Sequence, residues 1–305
     1  MGIAAGEAKR IPLMSNVTQR ETLFEEHRPA LSRLAYRMLG SLADADDVVQ
    51  EAYLRWIRHD ETNIESPRAY LSAIVTRLCI DHRRQIDARK ETYVGPWLPE
   101  PIVESPQEVG PANLERSESV SLALLTVLES LSPVERAAYL LRKVFDYSYA
   151  EVAAILDKSE AACRQIVSRA EERILERRPR FEAPADESER MTDAFLSACA
   201  TGDLERLVKM LAADAVAYSD GGGKVTAARV PVIGAEKVAR FLIGVLKKAP
   251  PDMKLERVLV NGRPGRLVLS NGKLQTVLTL DIVDGRIANL YLIRNPEKLT
   301  RVPQP

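Results

Sequence analysis

Five prolines between Glu91 and Pro111 (Pro96, Pro99, Pro101, Pro106 and Pro111) forbid a helix across that stretch, because each removes a backbone donor and fixes φ. Helical patterning lies on both sides of it, so this part of the chain must be two helical modules joined by an extended segment. On the near side, Leu31, Leu34, Ala35, Met38 and Leu39 form one apolar stripe and Leu71, Ile74, Val75 and Leu78 another. Ser66-Pro67 reads as a helix cap followed by proline at the first helical position, where its missing N–H costs nothing. On the far side, the strings Ser132-Pro133-Val134-Glu135 and Ser148-Tyr149-Ala150-Glu151 are capping boxes, and each starts a helix. The spacing therefore predicts a disordered leader over 1–17, a helical module over 18–90, the linker over 91–112 and a second helical module over 113–178.

After a polar stretch over 179–189 the pattern changes. Short helical periods at Met191–Ala200 and Leu204–Leu211 are followed mainly by strands, with a helix predicted at Gly234–Leu246. Gln275–Val283 and Arg286–Arg294 are β-rich runs joined by Asp284-Gly285, a two-residue hairpin signal, and Asn271-Gly272 marks another turn. The fold class is thus multidomain: two all-α modules followed by an α+β domain over 190–305.

The formal net charge is zero, so any nucleic-acid surface must be local. Two patches qualify: Arg68–Lys90 carries six basic against two acidic residues, and Arg164–Arg180 six against three. The second overlaps a helix-turn-helix. In Ser148–Arg173 a short helix is followed by a turn at Asp157-Lys158, where aspartate tolerates the left-handed conformation that glycine often supplies, and Ser159 caps a second helix. Cys163, Val167, Ala170 and Ile174 form its buried stripe, which leaves Ala161, Ala162, Gln165, Ser168 and Arg169 outward with Arg164 at the edge. Small residues near the helix start permit close approach to bases, and the glutamine and arginines can bond base edges or phosphates.

An acidic helix carrying Asp44, Asp46, Asp47, Gln50 and Glu51 precedes the basic helix that starts near Arg68. With the helix-turn-helix, this order resembles the extracytoplasmic-function RNA polymerase sigma factors. LADADDVVQEAYLRW (Leu42–Trp56) looks like the segment that docks on the polymerase clamp; SPRAYLSAIVTRLCIDHRR (Ser66–Arg84) looks like the helix that handles the minus-10 element; Ser132–Arg173 looks like the region that reads the minus-35 element. The resemblance implies core RNA polymerase and promoter DNA as partners. It implies polymerase contacts at Asp44, Asp46, Asp47, Gln50, Glu51 and Trp56, minus-10 contacts at Asn63, Ser66, Arg68, Tyr70, Arg77, Arg83 and Arg84, and minus-35 contacts at Ser159, Ala161, Ala162, Arg164, Gln165, Ser168 and Arg169. Tyr70 suits stacking on an unpaired base.

Three further strings narrow the resemblance to the SigJ type, whose carboxy-terminal domain is a SnoaL-like α+β cone. They are Trp97-Leu98-Pro99-Glu100-Pro101, Asp220-Gly221-Gly222-Gly223-Lys224 and Asn295-Pro296-Glu297-Lys298-Leu299, the last with Glu where Asp is expected. Alone, the glycine-rich string reads as a flexible hairpin tip; in company, the three imply control in cis. SnoaL-like cavities also leave room for a small-molecule ligand, so a metabolite-binding or metabolite-converting regulator is the alternative, beside a polymerase-independent repressor or activator. Against catalysis, His27, His59 and His82 all precede the α+β domain, and neither Asp220 nor Asp281 shows a partner in the sequence. No cofactor or metal site is read. Cys79, Cys163 and Cys199 are scattered and odd in number, which fits neither a disulfide framework nor a zinc site and implies a reducing cytoplasm; Cys163, on the buried stripe, reads as a core residue, and no apolar run is long enough for a membrane span.

Overall fold

A computed structural model describes residues 17–58, 64, 66–90, 92–105, 121–177 and 183–303. The chain divides into two compact units, one comprising 1–85 with 132–170 and the other 86–131 with 171–305. The two helical modules thus share a unit, while the linker belongs with the α+β domain.

In the first unit, α1 (Val17–Leu39), α2 (Leu42–Arg58) and α3 (Pro67–Lys90) carry the first module. Gly40 ends α1 in the left-handed region at φ 71°, where a side chain would be strained. Ser41 Oγ then accepts the Asp44 N–H at 3.2 Å to start α2. The expected stripe of α1, Leu31 to Leu39, is buried; on α3 Leu71, Val75 and Cys79 are among the buried positions, with Ile74 and Leu78 half-buried. Both predicted capping boxes exist. Ser132 starts a helix (Pro133–Tyr139) that runs into a π-helical turn (Leu140–Val144), and Ser148 starts the helix Tyr149–Leu156. Asp157 adopts φ 53°, ψ 56°, the left-handed turn read from the sequence, before the helix Glu160–Arg177.

The second unit begins with the end of α3 and adds β1 (Val103–Glu104) and α4 (Leu122–Leu128). In chain order the helices Pro133–Tyr139, Tyr149–Leu156 and Glu160–Arg177 are α5, α6 and α7. Then come α8 (Ala185–Thr201), α9 (Leu204–Met210), β2 (Leu211–Asp220), β3 (Val232–Ile233), α10 (Ala235–Leu246), β4 (Lys254–Val260), β5 (Arg263–Ser270), β6 (Lys273–Val283) and β7 (Arg286–Ile293). One expectation is corrected. The helix expected from Met191 starts at Ala185, so 179–189 is not a linker throughout. Within the expected linker 91–112, residues 103 and 104 form β1, which pairs antiparallel with β4 through Val103 and Val260.

The strands form one sheet in the order β1-β4-β5-β6-β7-β2-β3. Neighbours are antiparallel except β2 and β7, which run parallel. Side chains alternate between the faces of a strand. Leu278, Leu280 and Ile282 of β6 and Leu290 of β7 point to one face and join Phe195, Leu207, Val238 and Leu242 of α8, α9 and α10 in a single apolar cluster. Val277, Thr279 and Asp281 of β6, with their cross-strand partners Ile293, Tyr291 and Asn289, must occupy the other face. Tyr218 and Asp220 continue that row on β2. This second face carries the polar chemistry.

Candidate nucleic-acid interface and linker latch

The helix-turn-helix is built as its sequence requires. Cys163, Val167, Ala170 and Ile174 are buried, whereas Ser159, Ala161, Arg164, Gln165, Ser168 and Arg169 are exposed and Ala162 half-buried. Ser159 Oγ accepts the Ala162 N–H at 3.2 Å and so caps α7. Arg164 is held in place: it pairs with Glu160 at 2.9 Å and lies 4.4 Å from the Tyr149 ring, which Arg142 also approaches at 5.1 Å. Sequence reasoning missed this aromatic seat; its one signal was a tyrosine directly after a cap. Burial pushes the Cys79 thiol well up and that of Cys199 up to about 12, which suits core residues.

The basic helix α3 meets the helix-turn-helix within the same unit. Ser72 and Tyr147 share a buried hydroxyl hydrogen bond of 2.7 Å, and Arg136 Nε donates to the Arg37 carbonyl at 2.8 Å. Arg68 donates to the Phe145 carbonyl at 2.8 Å and lies over the Tyr147 ring; Arg77 reaches the Ile155 carbonyl at 3.4 Å. Two expected minus-10 contacts are therefore engaged by the second module. Ser66 caps α3 through the Ala69 N–H, Arg84 is exposed beside Asp81, and Tyr70 is half-buried against Trp56. Two members of the expected contact sets are buried. Arg83 is 2% exposed, and Trp56 is 1% exposed with its indole N–H donated to the Arg20 carbonyl, so both are core residues in this arrangement. Asn63 lies outside the described residues. Of the acidic set, Asp46, Asp47, Gln50 and Glu51 are exposed, while half-buried Asp44 accepts a 3.0 Å contact from His82.

The three strings that pointed to control in cis converge on one carboxylate in the second unit. Asp220, at the end of β2, is 0% exposed. Its Oδ1 accepts the Tyr93 hydroxyl at 2.6 Å and the Gly222 N–H at 3.1 Å; its Oδ2 accepts the Leu98 N–H at 2.8 Å and Lys298 Nζ at 2.7 Å. Lys298 also donates to the Leu98 carbonyl and sits 4.1 Å from the Trp97 ring centre. Asn295 donates to the Tyr93 hydroxyl at 2.9 Å, and Lys224 pairs with Glu297. Leu98 and Glu100 are buried. Burial lowers the Lys298 ammonium below its ordinary value against the pull of Asp220, and burial with the neighbouring carboxylate raises the Tyr93 phenol.

The glycines are explained by space. Gly222 has φ 59°, and a Cβ there would stand 2.4 Å from Asn295 Nδ2; one at Gly221 would stand 2.6 Å from the Val225 carbonyl oxygen. The string is a packed corner and not a loose hairpin tip, and Asp220 does have partners. Tyr93 was not singled out in the sequence, although an aromatic residue beside a proline-rich segment is a signal of docking.

The same division appears in comparison with known proteins. A model of sigma-70 region 2 matches residues 23–89, and one of sigma-70 region 4 matches residues 121–174. The chain is 36% identical over 291 residues to the ECF RNA polymerase sigma factor SigJ of Mycobacterium tuberculosis, covering 92% of this chain and 93% of that one. It is 32% identical over 279 residues to the probable ECF RNA polymerase sigma factor SigI of the same species, with 90% and 92% covered. The crystal structure of Mycobacterium tuberculosis SigJ superposes with a TM-score of 0.74 at 35% identity, covering 95% of this chain and all of that one. Two helical regions in sigma order, a carboxy-terminal sheet and end-to-end similarity make one statement: the chain belongs to the extracytoplasmic-function RNA polymerase sigma factors, subunits that bind core RNA polymerase and direct promoter-specific initiation.

Proposed function

We propose that this sigma factor is controlled in cis through the latch at Asp220. The observation that carries the reading is the convergence of linker, β2 corner and carboxy-terminal string on one fully buried carboxylate. The linker follows sigma region 2 in the chain and leads to region 4, so holding it on the α+β unit fixes the length of chain free to separate the two promoter readers. In this reading Ser159, Ala161, Ala162, Arg164, Gln165, Ser168 and Arg169 face the minus-35 element. Ser66, Arg68, Tyr70, Arg77 and Arg84 serve the minus-10 element, and Asp44, Asp46, Asp47, Gln50 and Glu51 the polymerase.

The α+β domain does no chemistry: no histidine lies in it, and Asp220 is spent on four hydrogen bonds. The protein works in the cytoplasm, where polymerase is; no described helix is long and apolar enough to cross a membrane. The test is reconstituted transcription with Trp97→Ala and Lys224→Ala. Both variants fold and bind core polymerase, and Trp97→Ala changes initiation at least about threefold, an effect of roughly 0.7 kcal/mol. Initiation at the unaltered rate in both overturns control in cis.

A further inference from the structure

The second face of the sheet holds a small cavity, of about 20 Å³, between β6, β7 and the first turn of α4. Ser121, Leu122 and Ala123 line it together with Asp281, Arg263 and Tyr291. It borders the apolar cluster under α8 to α10, sharing Leu280 and Ile282 with it, while Asp281 and Tyr291 bring the polar chemistry of the second face to its lining.

Asp281 is 8% exposed. Its Oδ2 accepts the Asn289 amide at 3.0 Å, and its Oδ1 has no hydrogen-bond partner among the described residues. A carboxylate offers about four lone-pair sites, so this is an acceptor with capacity left over on a largely buried side chain. Burial accordingly raises its titration above the ordinary carboxylate range, opposed by the Asn289 bond and by Arg263. One carboxylate and one guanidinium leave the lining without net charge, and Val260, Pro264 and Leu280 supply apolar wall. Such a site suits an uncharged, mostly apolar molecule with one hydroxyl or N–H to donate, since a full charge would be desolvated without compensation.

Size decides how such a molecule enters. A cavity of about 20 Å³ holds roughly one water. Anything with several carbons needs the room that Ser121–Ala123 now fill. That room is accessible in principle, because α4 has seven residues, too few to hold a helix without tertiary support. Leu125 and Leu128 are fully buried and anchor its far end, so the first turn can leave while the rest stays. α4 lies inside the stretch that matches sigma region 4, yet it belongs to the compact unit of the carboxy-terminal sheet.

We propose that α4 is a displaceable plug over a ligand site centred on Asp281: a neutral, hydrogen-bond-donating small molecule and the first turn of α4 compete for the same space. Ligand occupancy then loosens the first helix of region 4. The consequence for initiation rests on control in cis; the site does not.

Phenol and anisole are the test ligands, being of similar shape but differing in the donor. Calorimetry on the full chain gives phenol at least about tenfold tighter than anisole, the effect of one unmade hydrogen bond to a buried acceptor. Hydrogen exchange at 122–125 quickens with phenol. Leu122→Ala, which loosens the plug, raises phenol affinity, and Asp281→Leu erases the preference over anisole. Absent or donor-independent binding overturns the site. Phenol binding with α4 exchange unchanged, or with affinity unaltered in Leu122→Ala, overturns the plug. If binding and exchange behave as stated but reconstituted initiation ignores phenol, control in cis fails and the site stands.

Discussion

Asp220 and Asp281 are both buried carboxylates on one sheet face, and their surroundings give them opposite behaviour. Asp220 has a lysine and three neutral donors; replacing it with asparagine leaves the Lys298 ammonium buried without its counter-charge. Breaking such a pair costs about 3–5 kcal/mol. Asp220→Asn should therefore lower the denaturant midpoint of the full chain strongly, and Asp220→Asn with Lys298→Met should recover most of the loss. Equal midpoints for single and double variants would show that the pair is not what the corner depends on. Asp281 works the other way. Its folded pKa lies above the ordinary 3.8, so the folded state holds the proton more tightly than the unfolded one. The stability this contributes is complete below the unfolded pKa and is lost as pH rises through the folded value. Asp281→Asn keeps the acceptor for Asn289 without the charge. It should raise the melting temperature at pH 7, with the gain shrinking as pH falls toward about 4. A gain independent of pH would contradict a desolvated carboxylate.

Elements were legible where local rules act alone. Ser132 and Ser148 each cap a helix through a glutamate three residues on, and both capping boxes formed. Losing the Ser148 cap in Ser148→Ala should cost about 1 kcal/mol in thermal or denaturant unfolding, since one N–H at the start of α6 loses its acceptor. Asp157 took the left-handed turn, and the stripe from Cys163 to Ile174 is the buried side of α7, both readable from spacing. Arg164→Ala should weaken minus-35 binding by about 1–3 kcal/mol and relax the preference at one base pair, measured with a set of single-base promoter variants. A uniform loss across all variants would make Arg164 a phosphate contact. What the sequence could not display was partnership across distance. Tyr93 and Lys298 are far apart from Asp220 in the chain; the pairing of β2 with β7 brings the segment that carries Lys298 to Asp220, and the linker brings Tyr93, so Asp220 looked unpartnered. The burial of Trp56 was hidden for the same reason, since the carbonyl that takes its indole N–H belongs to Arg20 on α1. Parallel pairing of β2 with β7, and β1 joining β4 from inside a proline-rich segment, are likewise long-range choices that no local pattern encodes.

For the molecule as a whole, the first unit unites both promoter-reading modules, with Arg68 and Arg77 of α3 donating to carbonyls of the helix-turn-helix module. Side chains so engaged are not available to an unpaired DNA strand, so the free chain should be a poor reader of promoters; in the proposed reading polymerase draws the modules apart. The second unit holds the linker, on which the proposed control in cis makes that separation depend. A sigma factor under the proposed internal control and a repressor that reads duplex DNA unaided differ in what they do without polymerase. The direct measurement is the affinity of the full chain for its cognate promoter, with and without core RNA polymerase, against a scrambled duplex at fixed salt. The account predicts promoter preference and strand opening only with polymerase present. Equally strong, sequence-specific duplex binding by the chain alone would contradict it.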